Sequence, residues 1–415
     1  MSPKPASNRT RESSPPALVP KLRFPEFRGD GGWEELSLSD VSKVQNKKIP
    51  VQKLNITDYI STENLLPDFS GVTCASNLPN VNSVTEFLPD DILLANIRPY
   101  LKKAWSATRK GGASNDVIVF RSRDNVKQRF LSIRIRSDAF IDYVMSGAKG
   151  VKMPRGDVAQ MKTFPFPLPE PAEQQKIAEC LGSLDDLITA HSAKLEALQD
   201  HKKGLLQKLF PAEGQTTPKL RFPGFEGEWE ERPLGKWIEE YRENSISENQ
   251  YEVLTSSRQG LIRQKDYYDN TRLTDRSNLG FNIIPPDYVT YRSRSDDRRF
   301  YFNENTLGIT GVISIYYPVF RIKNGVNKFF IELFSHYQEL IGRRSIGTSQ
   351  TVLSITELKK IKLPIPDKAE QQKIATCLSS LDDQIAAQTD QIAALKEHKQ
   401  GLMQQLFPNP EGSAA

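Results

Sequence analysis

The stretch Glu173-Gln174-Gln175-Lys176-Ile177-Ala178 returns 197 residues later as Glu370-Gln371-Gln372-Lys373-Ile374-Ala375. The likeness runs on through Ser183-Leu184-Asp185-Asp186 and Ser380-Leu381-Asp382-Asp383 to Leu209-Phe210-Pro211 and Leu406-Phe407-Pro408. Between 173 and 211, 24 of 39 positions match their partners, so the chain is an internal repeat. Working outward, Pro20-Lys21-Leu22-Arg23-Phe24-Pro25 with Phe27 returns as Pro218-Lys219-Leu220-Arg221-Phe222-Pro223 with Phe225, at an offset of 198. Each copy soon reaches a tryptophan, Trp33 or Trp229, followed by Glu-Glu. Residues 34–165 and 230–362 share little by inspection. A constant connector with a varied remainder implies one repeated contact and two different recognition tasks.

The connector reads as a long helix. Pro171 suits a first helical position, and Asp367 with Glu370 forms a capping pair. Apolar residues then fall at Ile177, Leu181, Leu184, Ile188, Leu195, Leu198, Leu205 and Leu209, with His191 and Lys202 completing the alternation of four and three. The second copy places Ile374, Leu378, Leu381, Ile385, Ile392, Leu395, Leu402 and Leu406 likewise, with Gln388 and Lys399 as its polar members. A 3.5-residue period predicts a coiled-coil seam. About 40 residues at roughly 1.5 Å each give about 60 Å. Proline ends each helix after Phe210 and Phe407. Each helix could instead pack as core on its own globular domain. Antiparallel pairing within the chain is the preferred expectation, and it brings His191 near Gln388.

The chain has 415 residues and 47.0 kDa, enough for two or three domains of about 150 residues. Charged residues at 26%, the hydrophobic set at 38% and a mean hydropathy of −0.51 predict a soluble globular protein. No apolar run approaches a membrane span, and Met1 to Pro20 has no apolar core of the signal-peptide kind, so a cytoplasmic protein is expected. Cys74, Cys180 and Cys377 are too scattered for a disulfide framework, and four histidines without a Cys/His cluster predict no metal. A net charge of +5 permits a polyanionic partner without requiring one.

The expected fold class is α+β: two mixed α/β domains joined by two long antiparallel coiled-coil helices, a pseudo-twofold internal repeat. The expected boundaries are a disordered tail at 1–20, a first head at 21–168, a helix at 169–211 and a linker at 212–218. A second head follows at 219–363, then a helix at 364–408 and a tail at 409–415. Strands are expected at 91–95, 116–120, 288–291, 312–317 and 319–322, and helices near 129–146 and 328–341.

This layout, with Leu168-Pro169-Glu170-Pro171-Ala172-Glu173-Gln174-Gln175-Lys176-Ile177-Ala178 and Leu363-Pro364-Ile365-Pro366-Asp367-Lys368-Ala369-Glu370-Gln371-Gln372-Lys373-Ile374-Ala375, resembles the specificity subunit of type I restriction-modification enzymes. The resemblance covers nearly the whole chain. It implies that each head is a target recognition domain for one half of a bipartite, asymmetric site in double-stranded DNA. It also implies that the helices set the spacer and bind two methyltransferase subunits, with restriction and motor subunits docking on that core. S-adenosylmethionine, ATP and Mg would then belong to the partner subunits, in a prokaryotic cytoplasmic complex serving antiviral defence.

On that reading, basic, amide and hydroxyl side chains interleaved with glycine are the DNA-binding candidates. In the first head they are Arg98, Lys102, Lys103, Arg109, Lys110, Ser114, Asn115, Lys149, Lys152 and Arg155. In the second they are Tyr291, Arg292, Arg294, Thr310, Ser314, Arg343, Arg344, Ser349 and Gln350. Arginine pairs with guanine and Asn or Gln with adenine, which singles out Arg98, Asn115, Arg292, Arg294 and Gln350 as base readers. The competing reading of each cluster is a solvated charged face. The sequence has neither a phosphate loop for ATP nor an adenine-methyltransferase motif, and Asn96-Ile97-Arg98-Pro99-Tyr100 only echoes the latter. No catalytic residue is assigned, and chemistry is expected from partners. Three other readings are a lone nuclease or methyltransferase, an adaptor whose heads bind protein, and the specificity subunit of a modification-only defence complex.

Overall fold

The computed structural model describes residues 18–258, 260–267 and 277–408. The tails expected at 1–20 and 409–415 fall outside them, except for residues 18–20. The chain divides into two units, Met1–Ala190 with Ile392–Ala415, and His191–Gln391. Each contains one head and parts of two 39-residue helices, Pro171–Leu209 and Lys368–Leu406.

In the first unit a four-stranded antiparallel sheet runs Ser42–Val44, Val117–Ser122, Ile92–Ala95, Ala104–Ser106. The run Ile92-Leu93-Leu94-Ala95 is apolar throughout because both faces of this sheet are covered. Ile92 and Leu94 pack on Phe130, Phe140 and the helices, whereas Leu93 and Ala95 face Ile60, Phe87 and a second sheet. That second sheet runs Lys48–Pro50, Ser83–Phe87, Gly111–Ala113, Tyr59–Ile60, its last pair parallel.

The second unit repeats the first sheet as Ile238–Tyr241, Val319–Ile322, Val289–Tyr291, Phe302–Glu304. Its other sheet runs Asn282–Ile284, Gly311–Ile313, Glu252–Ser257, Gly260–Arg263, again with one parallel pair. The three strands common to both heads correspond, but the fourth is added on opposite edges. The heads thus share a topology that their sequences conceal.

The expected helix at 129–146 is two, Gln128–Ile135 and Asp138–Ser146, because Ser137 caps the second by accepting from the Phe140 amide at 3.2 Å. The expected helix at 328–341 is likewise Asn327–His336 and Gln338–Arg343. The strand expected over 312–317 stops at Ile313, where Ser314 and Tyr317 close a turn.

The repeated blocks meet inside each unit. Arg23 donates two bonds to Glu173 at 2.8 and 2.7 Å, and Arg221 donates two to Glu370, both at 2.8 Å. Gln174 donates to the Pro169 carbonyl and accepts from the Lys127 amide; Gln371 does the same with Pro366 and Val326. Lys176 lies over Phe24 and Lys373 over Phe222. The conserved string therefore locks a helix start against its own head.

The helix ends fill the remaining space. Phe407 packs edge-on to Trp33 in the first unit, and Phe210 edge-on to Trp229 in the second. Ile177 and Leu181 share one core with Leu406, and Ile374 and Leu378 share the other with Leu209, so the helices run antiparallel within each unit. Leu381, Gln388 and Ile392 are buried, and Leu184, Ile188, His191, Leu195, Leu198, Ile385 and Leu395 are half-buried. Gln388 bonds both the ring and the carbonyl of His191, the latter at 3.2 Å. The first turns of each helix are thus head core, and later turns pair with the other helix.

Candidate nucleic-acid interface

Three loops converge at one end of each head. In the first head these are residues 96–103 after Ile92–Ala95, residues 114–116 after Gly111–Ala113, and a hairpin at 149–155. The Asn96 amide donates to the Asp116 carbonyl at 2.8 Å, Gly156 donates to Asn96 at 3.1 Å, and Arg98 donates to Pro154 at 2.8 Å. In the second head Ser293 donates to Tyr316 at 3.4 Å and Leu353 donates to Ser293 at 2.9 Å. Asn96 and Ser293, like Gly156 and Leu353, are 197 residues apart, so the repeat's offset survives here as backbone bonding without side-chain identity.

The hairpins correspond most closely. Lys149 and Arg155 exchange two backbone bonds of 2.9 Å, and Ile346 and Val352 exchange two of 3.0 and 2.8 Å, each enclosing five residues. The first enclosed residue is Gly150 at φ 98° or Gly347 at φ 126°, backbone that L side chains resist. The offset exposes this shared glycine in the variable regions, as it does Pro89-Asp90 and Pro286-Asp287, whose aspartates also share a positive φ of 70° and 65°.

The candidates divide by environment. Arg98, Lys110 and Lys152 in the first head, and Arg292 and Arg344 in the second, are exposed and make no ion pair among the described residues. Others are engaged at the surface: Lys102 with Asp138 at 2.6 Å, Lys149 with Asp157 at 2.9 Å, Arg155 with Asp116 at 2.8 Å, and Arg343 with Glu213. Asp138 holds the Lys102 ammonium above the ordinary lysine range, and the Lys149 hydrogen bond holds the Asp157 carboxyl below its usual value. Solvent screens exposed pairs of this kind, so they hold these cations only weakly.

Lys103 donates to the Thr62 carbonyl and Arg109 to that of Thr57, the latter guanidinium 5.2 Å from the Trp105 ring. Asn115 accepts from Lys48 at 3.2 Å, and the Ser114 amide donates to Ile60. Arg294 lies 4.2 Å over the exposed Tyr316 ring, and Gln350 reaches Asp296 at 3.4 Å. Thr310 and Ser314 are half-buried and Ser349 is exposed. Tyr291 is a correction. Its ring lies in the core beside Phe300, Phe302 and Phe320, its hydroxyl donates to the Leu353 carbonyl at 3.0 Å, and it cannot reach a ligand. The strand alternation that places Val289 inside places Tyr291 there too. Tyr316, overlooked in the sequence, occupies the exposed position instead.

Among the described residues no group of His, Cys, Asp and Glu could hold a metal, and no helix is long and apolar enough to cross a membrane.

Residues 30–200 and 241–397 match the family model described as the type I restriction modification DNA specificity domain. The type I restriction enzyme MjaVIII specificity subunit of Methanocaldococcus jannaschii is 22% identical over 430 aligned positions, covering 93% of each chain. The putative MjaX specificity subunit of the same organism is 25% identical over 261, covering 60% of this chain and 59% of that one. The crystal structure of the type I restriction-modification system S subunit from M. genitalium superposes with a TM-score of 0.59 at 13% identity, covering 94% of this chain and all of that one. A chain from a study of type I assembly and conformational transition gives 0.51 at 17% identity, covering 91% and 98%. The two matched regions, each taking in most of one repeated helix, account for most of the chain, and it belongs to the type I restriction-modification specificity family.

Proposed function

We propose that each head reads one half of a bipartite, asymmetric site in double-stranded DNA, and that the helices fix the spacer between the halves. The observation that carries this reading is the three-loop end of each head, one backbone framework bearing two different sets of exposed cations and amides. Phosphate contacts from Arg98, Lys110, Lys152, Arg292 and Arg344 would position the heads, and base-edge contacts from neighbouring side chains would give sequence preference.

The chain is a non-catalytic subunit in this reading. S-adenosylmethionine-dependent methylation of adenine and ATP-driven restriction would be supplied by methyltransferase, motor and nuclease partners in the cytoplasm. Identity at exposed helix positions supports docking of two copies of one partner: Ser183 and Ser380, Asp186 and Asp383, His201 and His398, and Gln207 and Gln404 all face solvent.

The test is methylation mapping by single-molecule sequencing in a methylation-free host expressing this chain with its neighbouring methyltransferase subunit. A bipartite motif modified on adenine in both halves, and lost when this chain is omitted, is expected. No motif from a soluble assembled complex would move the reading to a protein-binding adaptor.

A further inference from the structure

The two five-residue hairpins share their closure and their glycine but differ in the side chains at their tips. The first is Gly150-Val151-Lys152-Met153-Pro154, and the second is Gly347-Thr348-Ser349-Gln350-Thr351. Val151 is fully exposed at 103% and Met153 is 55% exposed, although the adjoining Gly156 and Pro154 are buried. A lone exposed apolar residue is ordinary. Two at the tip of a braced hairpin, flanking Lys152, which makes no ion pair among the described residues, are apolar groups held out beside a cation, above a base where Lys149 and Arg155 pair with Asp157 and Asp116. The tip of the second hairpin offers hydroxyl and amide groups instead, and its exposed apolar residues, Ile346 and Val352, sit at the closing pair and not at the tip.

We propose that Val151 and Met153 form a wedge that enters the base stack of one half-site, so that the first head reads deformability there while the second head reads base edges through Thr348, Ser349 and Gln350. This rests on the DNA reading above. Cations on phosphates bring the tip to the duplex, and an apolar side chain at a base step unstacks it and kinks the axis. A pyrimidine–purine step yields most readily, so the first half-site contains one opposite the tip.

The probe is the mapped site as a duplex carrying 2-aminopurine at successive positions, bound by the full chain with its methyltransferase subunit. A several-fold fluorescence rise is expected at one step of one half-site, apart from the modified adenine, whose own signal reports a bound complex. Val151→Ser with Met153→Ser should abolish that rise and weaken site binding about tenfold, the size of one mismatched base pair. The salt slope should stay unchanged, because the cations remain. Replacing residues 347–351 with the first tip should create a second unstacked step in the other half. A rise that survives the double substitution, or a bound wild-type complex with no unstacked step, overturns the wedge and leaves the DNA reading standing. Absence of any sequence-preferring binding overturns both.

Discussion

Lys202 on the first long helix meets Asp382 on the second at 2.6 Å, and 197 residues on the pair recurs with the helices exchanged, Lys399 meeting Asp185 at 2.6 Å. The surroundings are not equivalent. Lys202 also reaches the buried Glu332 at 3.0 Å, and Lys328 bridges Glu332 and Asp382 at 2.8 and 2.6 Å. Burial pulls the Lys399 ammonium below the usual lysine range against the attraction of Asp185. Lys202→Met should therefore destabilise more than Lys399→Met, by roughly 2 kcal/mol, because the carboxylates it strips of a partner include the buried Glu332, whereas Asp185 is partly exposed and burial already penalises the Lys399 charge. Urea midpoints of the two variants check this.

Burial alone would raise the Asp382 carboxyl, but hydrogen bonds from Lys202 and Lys328 outweigh it and hold the pKa below the ordinary aspartate value. A depressed carboxylate contributes stability above its unfolded pKa, about 3.9, and loses it as pH falls through the folded value. Asp382→Asn should flatten the acid limb of a melting-temperature profile below about pH 4.

His336 stacks on Phe210 and bonds the Pro211 carbonyl at 2.9 Å. Burial lowers its pKa, against the opposing carbonyl bond, from the ordinary 6.5. The unfolded chain then binds the proton first, so stability falls as pH drops below 6.5 and levels off below the folded pKa. His336→Gln should remove that step from the pH dependence of thermal unfolding.

The bidentate Arg23–Glu173 pair is buried, and leaving either partner alone should cost about 3–5 kcal/mol. The apolar double variant Arg23→Met with Glu173→Leu should cost less than either single substitution. A double-mutant cycle by thermal unfolding reads the difference.

A Cβ at Gly347 would lie 2.4 Å from the Gln350 carbonyl oxygen, at a φ that already disfavours it. Gly347→Ala should distort the hairpin at a cost of about 1–3 kcal/mol. Methylation of one half-site motif should relax, and thermal unfolding should show a loss of stability within that range. Lys152→Ala should instead weaken binding to all sequences alike and reduce the salt slope by about one.

By itself the sequence determined the repeat and the two helices, and it marked the residues, though not the pairing, of the joint that the structure shows between each helix and its head. Those parts are repeated side-chain contacts, Arg23 to Glu173 and Arg221 to Glu370 among them, and a contact made by side chains leaves its residues in the string. The heads were legible only in pieces: Ile92–Ala95 and Val319–Ile322 as strands, but the helix break at Ser137 and the buried Tyr291 were not. Their common topology and their loop framework rest on backbone hydrogen bonds, which constrain few side chains. Only the tertiary structure therefore brought Asn96, Asp116 and Gly156 together, matched them to Ser293, Tyr316 and Leu353, and separated free cations from those held by carboxylates.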